Sequence, residues 1–257
     1  MKYTLITGAS GGIGYELAKK FAAAGNHLIL VSRQGNMLQQ IAVEFQKKYN
    51  TGVLVIEKDL GLPGAADEVY HMVREKSVTV NNLVNNAGFY IQGAFAETGW
   101  EKEQQLIYLQ CINHIKLIKL FLPEMLKKNE GGILNVCSTG SFMPGPYNAI
   151  YCAAKSFLFS FSEALAEELK NTNIHVTALC PGATRTAFQD FSKRKNNLLT
   201  PVMDAQSVAE TGYRAFIKGK RVAIPGTGNK MQVFMVRFLP GRLVTKLAGI
   251  FVLKTLE

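Results

Sequence analysis

The chain is short of acids. Nineteen Asp and Glu stand against 29 Lys and Arg, a formal net charge of +10. Such an excess suits nucleic acid, an anionic membrane face or an anionic ligand. The cations are spread along the chain, and no basic block is interleaved with aromatics, so nucleic-acid binding is not expected. Cysteine is scarce. Cys111, Cys137, Cys152 and Cys180 show no Cys-x-x-Cys spacing, and each lies in an apolar context. They read as buried free thiols in a reducing compartment, not as a disulfide framework. The four histidines, His27, His71, His114 and His175, lack metal-ligand spacing, so no metal is expected. No apolar run reaches 18 residues without charge, which excludes a membrane-spanning helix. The first residues pass straight into a strand and turn, so no secretory leader is expected and the location is read as cytoplasmic.

What remains is a chain of 257 residues, 47% hydrophobic, enough for one large α/β domain with a full core. Residues 2–7 read as a strand, and a helical pattern with Leu17, Ala18, Phe21 and Ala22 follows at 15–24. The run Thr7-Gly-x-x-x-Gly-x-Gly14 joins them, the context a dinucleotide loop requires. There Gly8 permits a tight turn, Gly12 lets the backbone approach a pyrophosphate, and Gly14 lets helix pack on strand. The helix start offers unpaired N–H groups to phosphate. A second strand, 27–31, ends at Ser32 and Arg33, where an acid would hold the ribose hydroxyls of NAD. A guanidinium suits a 2′-phosphate instead, so NADP(H) is expected.

Strands and helices then alternate. Strands are predicted at 53–56, 82–85, 132–137, 174–180 and 221–224, and helices at about 36–48, 64–76, 100–128, 151–170 and 204–217. This is the spacing of right-handed βαβ units: a Rossmann-type, doubly wound, seven-stranded parallel sheet with helices on both faces. Ligands of such sheets lie beyond the strand ends. The loop Gly8–Gly14, Arg33, Asp59, Asn86, Ser138 and Pro181 all follow strands and should share one edge. Asn113, in the middle of a long helix, reads from its residues alone as a buried amide tying helices together.

The richest stretch runs from Ser138 to Lys155. Tyr151 and Lys155 lie four apart on one helical face. A phenol near pH 7 is a poor proton donor and acceptor, and a nearby cation lowers its pKa. A serine hydroxyl past a strand end can polarise the oxygen that the tyrosine protonates. Acid, tuner and polariser are the needs of carbonyl reduction.

Together these motifs resemble the short-chain dehydrogenase/reductase family, in its simple single-domain branch, over residues 3–225. The resemblance implies that Tyr151 is the general acid, that Lys155 lowers its pKa and binds the nicotinamide ribose, and that Ser138 orients the carbonyl. It implies that Asn113 holds a water in a proton relay behind Lys155. The implied cofactor set is Gly8, Ser10, Gly12, Ile13, Gly14, Ser32, Arg33, Asp59, Leu60, Asn86, Ala87, Gly88, Tyr151, Lys155, Pro181, Gly182, Thr184 and Thr186. Asp59 is placed at the adenine, Asn86 near the adenosine ribose and Thr186 at the nicotinamide amide. Gly11 stands where many NADP-preferring members carry Arg or Lys, which leaves Arg33 to decide the cofactor. A homodimer or homotetramer is implied through the helices of 100–128 and 151–170.

Residues 226–257 exceed this fold and form a C-terminal extension of the same domain. The runs 231–239 and 243–253 read as two apolar helices broken at Pro240 and Gly241, with Arg237, Arg242, Lys246 and Lys254 as cations. They either wall the pocket or form a subunit interface, or else touch an anionic membrane peripherally. Similar tails occur in members resembling ketoacyl and ketosteroid reductases, which points to an apolar substrate. The expected function is NADP(H)-dependent interconversion of a ketone or aldehyde and an alcohol. The rivals are a reductase of carrier-bound 3-oxoacyl substrates, gripped by Lys193, Arg194 and Lys195 on a lid over 187–199, and a non-catalytic NADP(H) sensor.

Overall fold

The computed structural model describes residues 2–186 and 202–253; the expected lid lies outside them. In chain order the elements are β1 (Tyr3–Thr7), α1 (Gly12–Ala23), β2 (His27–Ser32), α2 (Gly35–Tyr49), β3 (Val53–Glu57), α3 (Ala65–Glu75) and β4 (Val80–Asn85). Then come α4 (Trp100–Ile107), a π-helical segment (Tyr108–Asn113), α5 (His114–Lys128), β5 (Gly131–Val136), a 3₁₀ turn (Thr139–Phe142), α6 (Ala149–Glu168) and β6 (Ile174–Leu179). The remainder is β7 (Thr184–Arg185), β8 (Met203–Asp204), α7 (Ala205–Ile217), β9 (Val222–Ala223), α8 (Thr227–Val236) and α9 (Gly241–Leu253).

Seven strands form one sheet in the order β3-β2-β1-β4-β5-β6-β9, every pair parallel. Both faces are covered, so both sides of the central strands are buried, including the polar Thr4, Asn85, Asn135 and Thr177. Leu5, Ile29, Val31, Leu83 and Ile133 point into one core with residues of α3, α5 and α6. Their neighbours Ile6, Leu28, Leu30, Val84 and Leu134 point into the other with residues of α1, α2 and α7. A parallel sheet brings all strand C-termini to one edge, and the sequence order reverses between β1 and β4, opening a crevice there.

Three features depart from the predicted elements. The helix expected over 100–128 is split by the π segment, whose widened turn carries Gln110 and Asn113, both buried. Their amides bind main-chain carbonyls outside the helix, of Phe89 and of Leu60 and Leu62. The last strand of the sheet is short, Val222–Ala223. A two-stranded parallel pair, β7 with β8, extends the edge beyond β6.

Gly14 sits where α1 meets the loop after β1. A Cβ there would lie 2.3 Å from the Gly8 carbonyl oxygen and 2.5 Å from Asn86 Nδ2. Neither is a flexible side-chain end free to swing away, since Asn86 is itself bonded to the loop. Gly14→Ala is therefore expected to lower stability by about 2 kcal/mol, read as a shifted midpoint in urea unfolding. An unmoved midpoint would show that loop and amide can yield.

Candidate active site

The loop after β1 is held before any ligand is considered. Asn86 Nδ2 donates to the carbonyls of Thr7 and Gly8 at 3.0 and 3.1 Å. Thr7 Oγ1 accepts from the N–H groups of Asn86 and Ala87 at 2.9 and 3.0 Å. Gly8 (φ 66°) and Gly12 (φ 54°) take left-handed backbone that favours glycine. A Cβ on Gly8 would meet Ala87 Cα at 2.8 Å, and one on Gly12 would meet the Thr186 methyl at 2.8 Å. Helix α1 starts with no side-chain cap and no acid in its first turn, so its N–H groups and positive dipole end face the cleft. This is a cradle that fits a pyrophosphate.

At the end of β2, Arg33 extends toward solvent (67% exposed) and its guanidinium lies 3.7 Å from Asp59. Asp59 Oδ1 also accepts the Gly61 N–H at 2.8 Å, and Ser32 Oγ accepts that of Gln34 at 3.1 Å. No acid other than Asp59 pairs with Arg33 among the described residues, so the cation remains available to a phosphate.

The chemistry-bearing groups come from β5 and α6. Ser138 caps the 3₁₀ turn, its Oγ accepting the Gly140 N–H at 3.0 Å. Ser141 accepts the Ser138 N–H at 3.2 Å and donates to the Lys155 carbonyl at 3.0 Å; Ser156 donates back to the Ser141 carbonyl at 2.9 Å. The turn is thus stitched to α6, which fixes Ser138 against Tyr151. The Ser138 hydroxyl, which accepts from Gly140, also hydrogen-bonds the Tyr151 phenol. Lys155 is 3% exposed, donates from Nζ to the Val136 carbonyl at 2.7 Å, and lies 5.9 Å from the Tyr151 ring centre.

Burial dominates the electrostatics of Tyr151 and Lys155. Burial pushes the Tyr151 phenol well above its usual range, against the Ser138 bond that lowers it. The Lys155 ammonium donates to the Val136 carbonyl and lies near the phenol ring without offsetting the effect of burial on it. Burial also pulls Lys155 down to about 8, with the nearby thiols Cys137, Cys111 and Cys180 opposing.

These residues line one cavity of about 1030 Å³. Of the expected site residues, Gly8, Ser10, Gly12, Ile13, Ser32, Arg33, Asp59, Leu60, Asn86, Ala87, Gly88, Ser138, Tyr151, Lys155, Pro181, Gly182, Thr184 and Thr186 line it. Gly14 and Asn113 do not. Gly14 is covered by the Gly8 carbonyl. Asn113 is 2% exposed, with Nδ2 donating to Leu60 and Leu62 at 2.8 Å each and Oδ1 accepting from Ala66 at 3.3 Å. Its side chain pins the segment from Leu60 to the start of α3, so any water it holds must be held by its main chain. Asn86 likewise has its amide N–H groups on the glycine loop. Among the thiols, Cys111 is only partly buried. His114 is fully buried with neither ring nitrogen bonded, and burial lowers it to about 3, so it is neutral at any physiological pH.

Sequence reasoning missed Tyr90 and Asn148. The Tyr90 ring stands edge-on to Tyr151, centres 5.0 Å apart, and its hydroxyl accepts from Asn148 Nδ2 at 2.7 Å. No motif marks either; the only signal is an aromatic two residues past Gly88, on the same edge. The far wall comes from α8, α9 and the turn between them, including Met235, Leu239, Leu247 and Phe251. Gly182 admits Asn229, whose Oδ1 would lie 2.4 Å from a Cβ, and Gly249 faces Pro146, which a Cβ would meet at 3.3 Å.

The family model for short chain dehydrogenases matches residues 2–197. With this fold and site, the chain belongs to that family of oxidoreductases. It is 35% identical over 205 residues to a very-long-chain 3-oxoacyl-CoA reductase of Phaeosphaeria nodorum, covering 77% of this chain and 59% of that one. It is 30% identical over 208 residues to the human 17-beta-hydroxysteroid dehydrogenase type 3, covering 79% and 65%. Among solved structures, a short-chain dehydrogenase from Sphingobium yanoikuyae in complex with NADPH superposes with a TM-score of 0.81 at 28% identity, covering 91% of this chain and 92% of that one.

Lys155 makes a stability prediction with a definite sign. Its folded pKa, about 8, lies below the ordinary 10.5. Between those values the unfolded chain binds more protons, so stability rises with pH across that window and the buried charge costs stability below it. Lys155→Met is expected to raise stability at pH 7 by about 1–3 kcal/mol and to flatten the rise from pH 8 to 10.5. The raised Tyr151 phenol acts in the opposite sense, but only above pH 10, and is common to both proteins. Parallel urea titrations at pH 7 and 9.5 check this; a Met variant less stable at pH 7 would refute the burial cost.

Proposed function

We propose that the protein is an NADP(H)-dependent oxidoreductase that interconverts an apolar ketone or aldehyde and its alcohol. The observation that carries this is the Ser138 hydroxyl bonded to the Tyr151 phenol, one helical turn from Lys155. The pair lies between the glycine cradle and an apolar wall of the same cavity. When bound, the cofactor supplies hydride to the carbonyl carbon or accepts it from the alcohol. The chain supplies position and the proton. The cradle of Gly8 to Gly12 and the start of α1 hold the diphosphate, Arg33 with Ser32 holds a 2′-phosphate, and Lys155 holds the ribose nearest the reacting end. A substrate oxygen about 3 Å from both hydroxyls is polarised by Ser138 and protonated by Tyr151. The raised phenol is neutral at pH 7, so the proton is in place for reduction. Tyr90 closes one side of the phenol and excludes water from it. The exposed Ile112 and Phe157, on the π segment and α6, support association of copies through those helices as a dimer or tetramer.

A second substrate reading is favoured by the 3-oxoacyl-CoA reductase relative: the ketone would be the β-carbon of an acyl thioester, its chain along α8 and α9. NADPH oxidation against aryl ketones, steroid ketones and 3-oxoacyl thioesters separates the two.

Tyr151→Phe is expected to lower kcat by at least about 10³-fold while NADPH binding, read by fluorescence titration, stays within about twofold. Undiminished turnover would remove Tyr151 as the acid. A protein with no turnover in either form, yet bound to NADPH, would be the sensor. Arg33→Ala is expected to reduce the NADPH-over-NADH preference in kcat/KM by roughly 10- to 100-fold, leaving kcat with NADH unchanged. An unchanged ratio would take the cofactor choice away from Arg33.

A further inference from the structure

The apolar exposure of this molecule is unevenly placed. Nineteen large hydrophobic side chains are exposed among the described residues, and nine of them lie between Met231 and Leu253. On α8 and the turn after it, the rings of Phe234 and Phe238 pack at a tilt with centres 4.9 Å apart, 59% and 73% exposed. On α9, Leu243, Leu247 and Ile250 form a second exposed stripe, at 43%, 49% and 43%, while Val244 and Val252 on another face are buried. A helix packed to one side only would show the second stripe as polar. Here it is apolar, and Arg242 and Lys246 stand beside it, both exposed. Lys230 and Arg237 complete the set; residues 226–253 contain no acid.

That charge decides the occupant. A second copy seated through this face by two-fold symmetry would bring the patch against itself, setting these cations against their own images with no carboxylate between them. An anionic bilayer offers the opposite charge and an apolar interior. Helix α9, 13 residues long, extends only roughly 20 Å, too short to cross a bilayer, and no described helix is a candidate span. It can only lie in the interface plane.

We infer that α8 and α9 seat the protein on an anionic membrane surface, with the cavity opening beneath the seated face. Met235, Leu239 and Leu247 are exposed and also line the cavity, so the apolar face continues inward as the cavity wall. An apolar carbonyl compound dissolved in the bilayer reaches Tyr151 along that wall without passing through water. This entry step rests on the oxidoreductase reading; the seating does not.

The test is sedimentation of the full chain with vesicles of phosphatidylcholine alone or mixed with phosphatidylglycerol, without substrate. The expected result is partition onto the mixed vesicles at least about tenfold above the neutral ones, weakened by salt. Each reversed cation should lower it by roughly fivefold or more, so Arg242→Glu with Lys246→Glu should lower it by at least about 25-fold. Phe238→Glu should lower it at unchanged vesicle charge. None of these residues lines the cavity, and unchanged thermal midpoints will show the variants folded. Absent or charge-independent partition would overturn the inference. So would a concentration-dependent dimer, seen by analytical ultracentrifugation, that Phe238→Glu dissolves, since a second copy would then hold the face. Failure of the oxidoreductase reading would appear separately, as no turnover of any ketone in detergent-free solution with vesicle partition intact.

Discussion

The site depends on a staple across the crevice between β1 and β4. Parallel strands place the ends of β1 and β4 side by side, but a loop rich in glycine has no reason of its own to stay there. Asn86 supplies one by donating to two successive loop carbonyls, and Thr7 returns the bond by accepting two N–H groups of the chain after β4. Four hydrogen bonds thus join the chain before the reversal of strand order to the chain after it. Each is part-buried, and Thr7 itself is fully buried, so leaving its hydroxyl unpaired would cost about 1–3 kcal/mol. The glycines follow from the staple: Gly8 and Gly14 are small because Asn86 and Ala87 occupy the space their side chains would need.

The second half of the site is ordered by the same logic. Ser138 could point in several directions from the end of β5. It is fixed because the turn it caps is bonded through Ser141 and Ser156 to the main chain of α6, the helix that carries Tyr151 and Lys155. Two serines without chemistry of their own therefore set the geometry of the one that has it. The same burial that makes this precise raises the phenol and lowers the lysine. The site thus pairs a neutral phenol with an ammonium whose charge is costly to keep, the state the proposed reduction needs.

The sheet, its strand ends and the cluster of Ser138, Tyr151 and Lys155 were readable because each follows from short-range pattern: apolar runs, glycine spacing and a four-residue helical repeat. What failed was of another kind. Asn113 could be found but not oriented, since its partners Leu60 and Leu62 lie more than fifty residues away in sequence. The π turn that aims it has no periodicity to distinguish it from α-helix. Spacing puts Lys155 beside the phenol, but that its ammonium also donates to the Val136 carbonyl is a matter of packing. Tyr90 and Asn148 meet only in three dimensions.

The tail shows how far packing can carry a reading that pattern leaves open. Its apolar residues alone do not distinguish a pocket wall from an exposed surface, and the helices prove to be both. Asn229, buried against Gly182, and Gly249, packed on Pro146, anchor α8 and α9 to the two loops that flank the catalytic groups. The Asn229 contact is the stricter of the two: a Cβ on Gly182 would lie 2.4 Å from Asn229 Oδ1, whereas one on Gly249 would lie 3.3 Å from Pro146. The outer face of the tail is therefore linked, through the packing of α8 on Gly182 and of α9 on Pro146, to the loops beside Ser138 and Tyr151. A surface that both covers and opens the cavity gives this chain one apolar path from outside to the phenol, and its cations decide which surroundings that path faces.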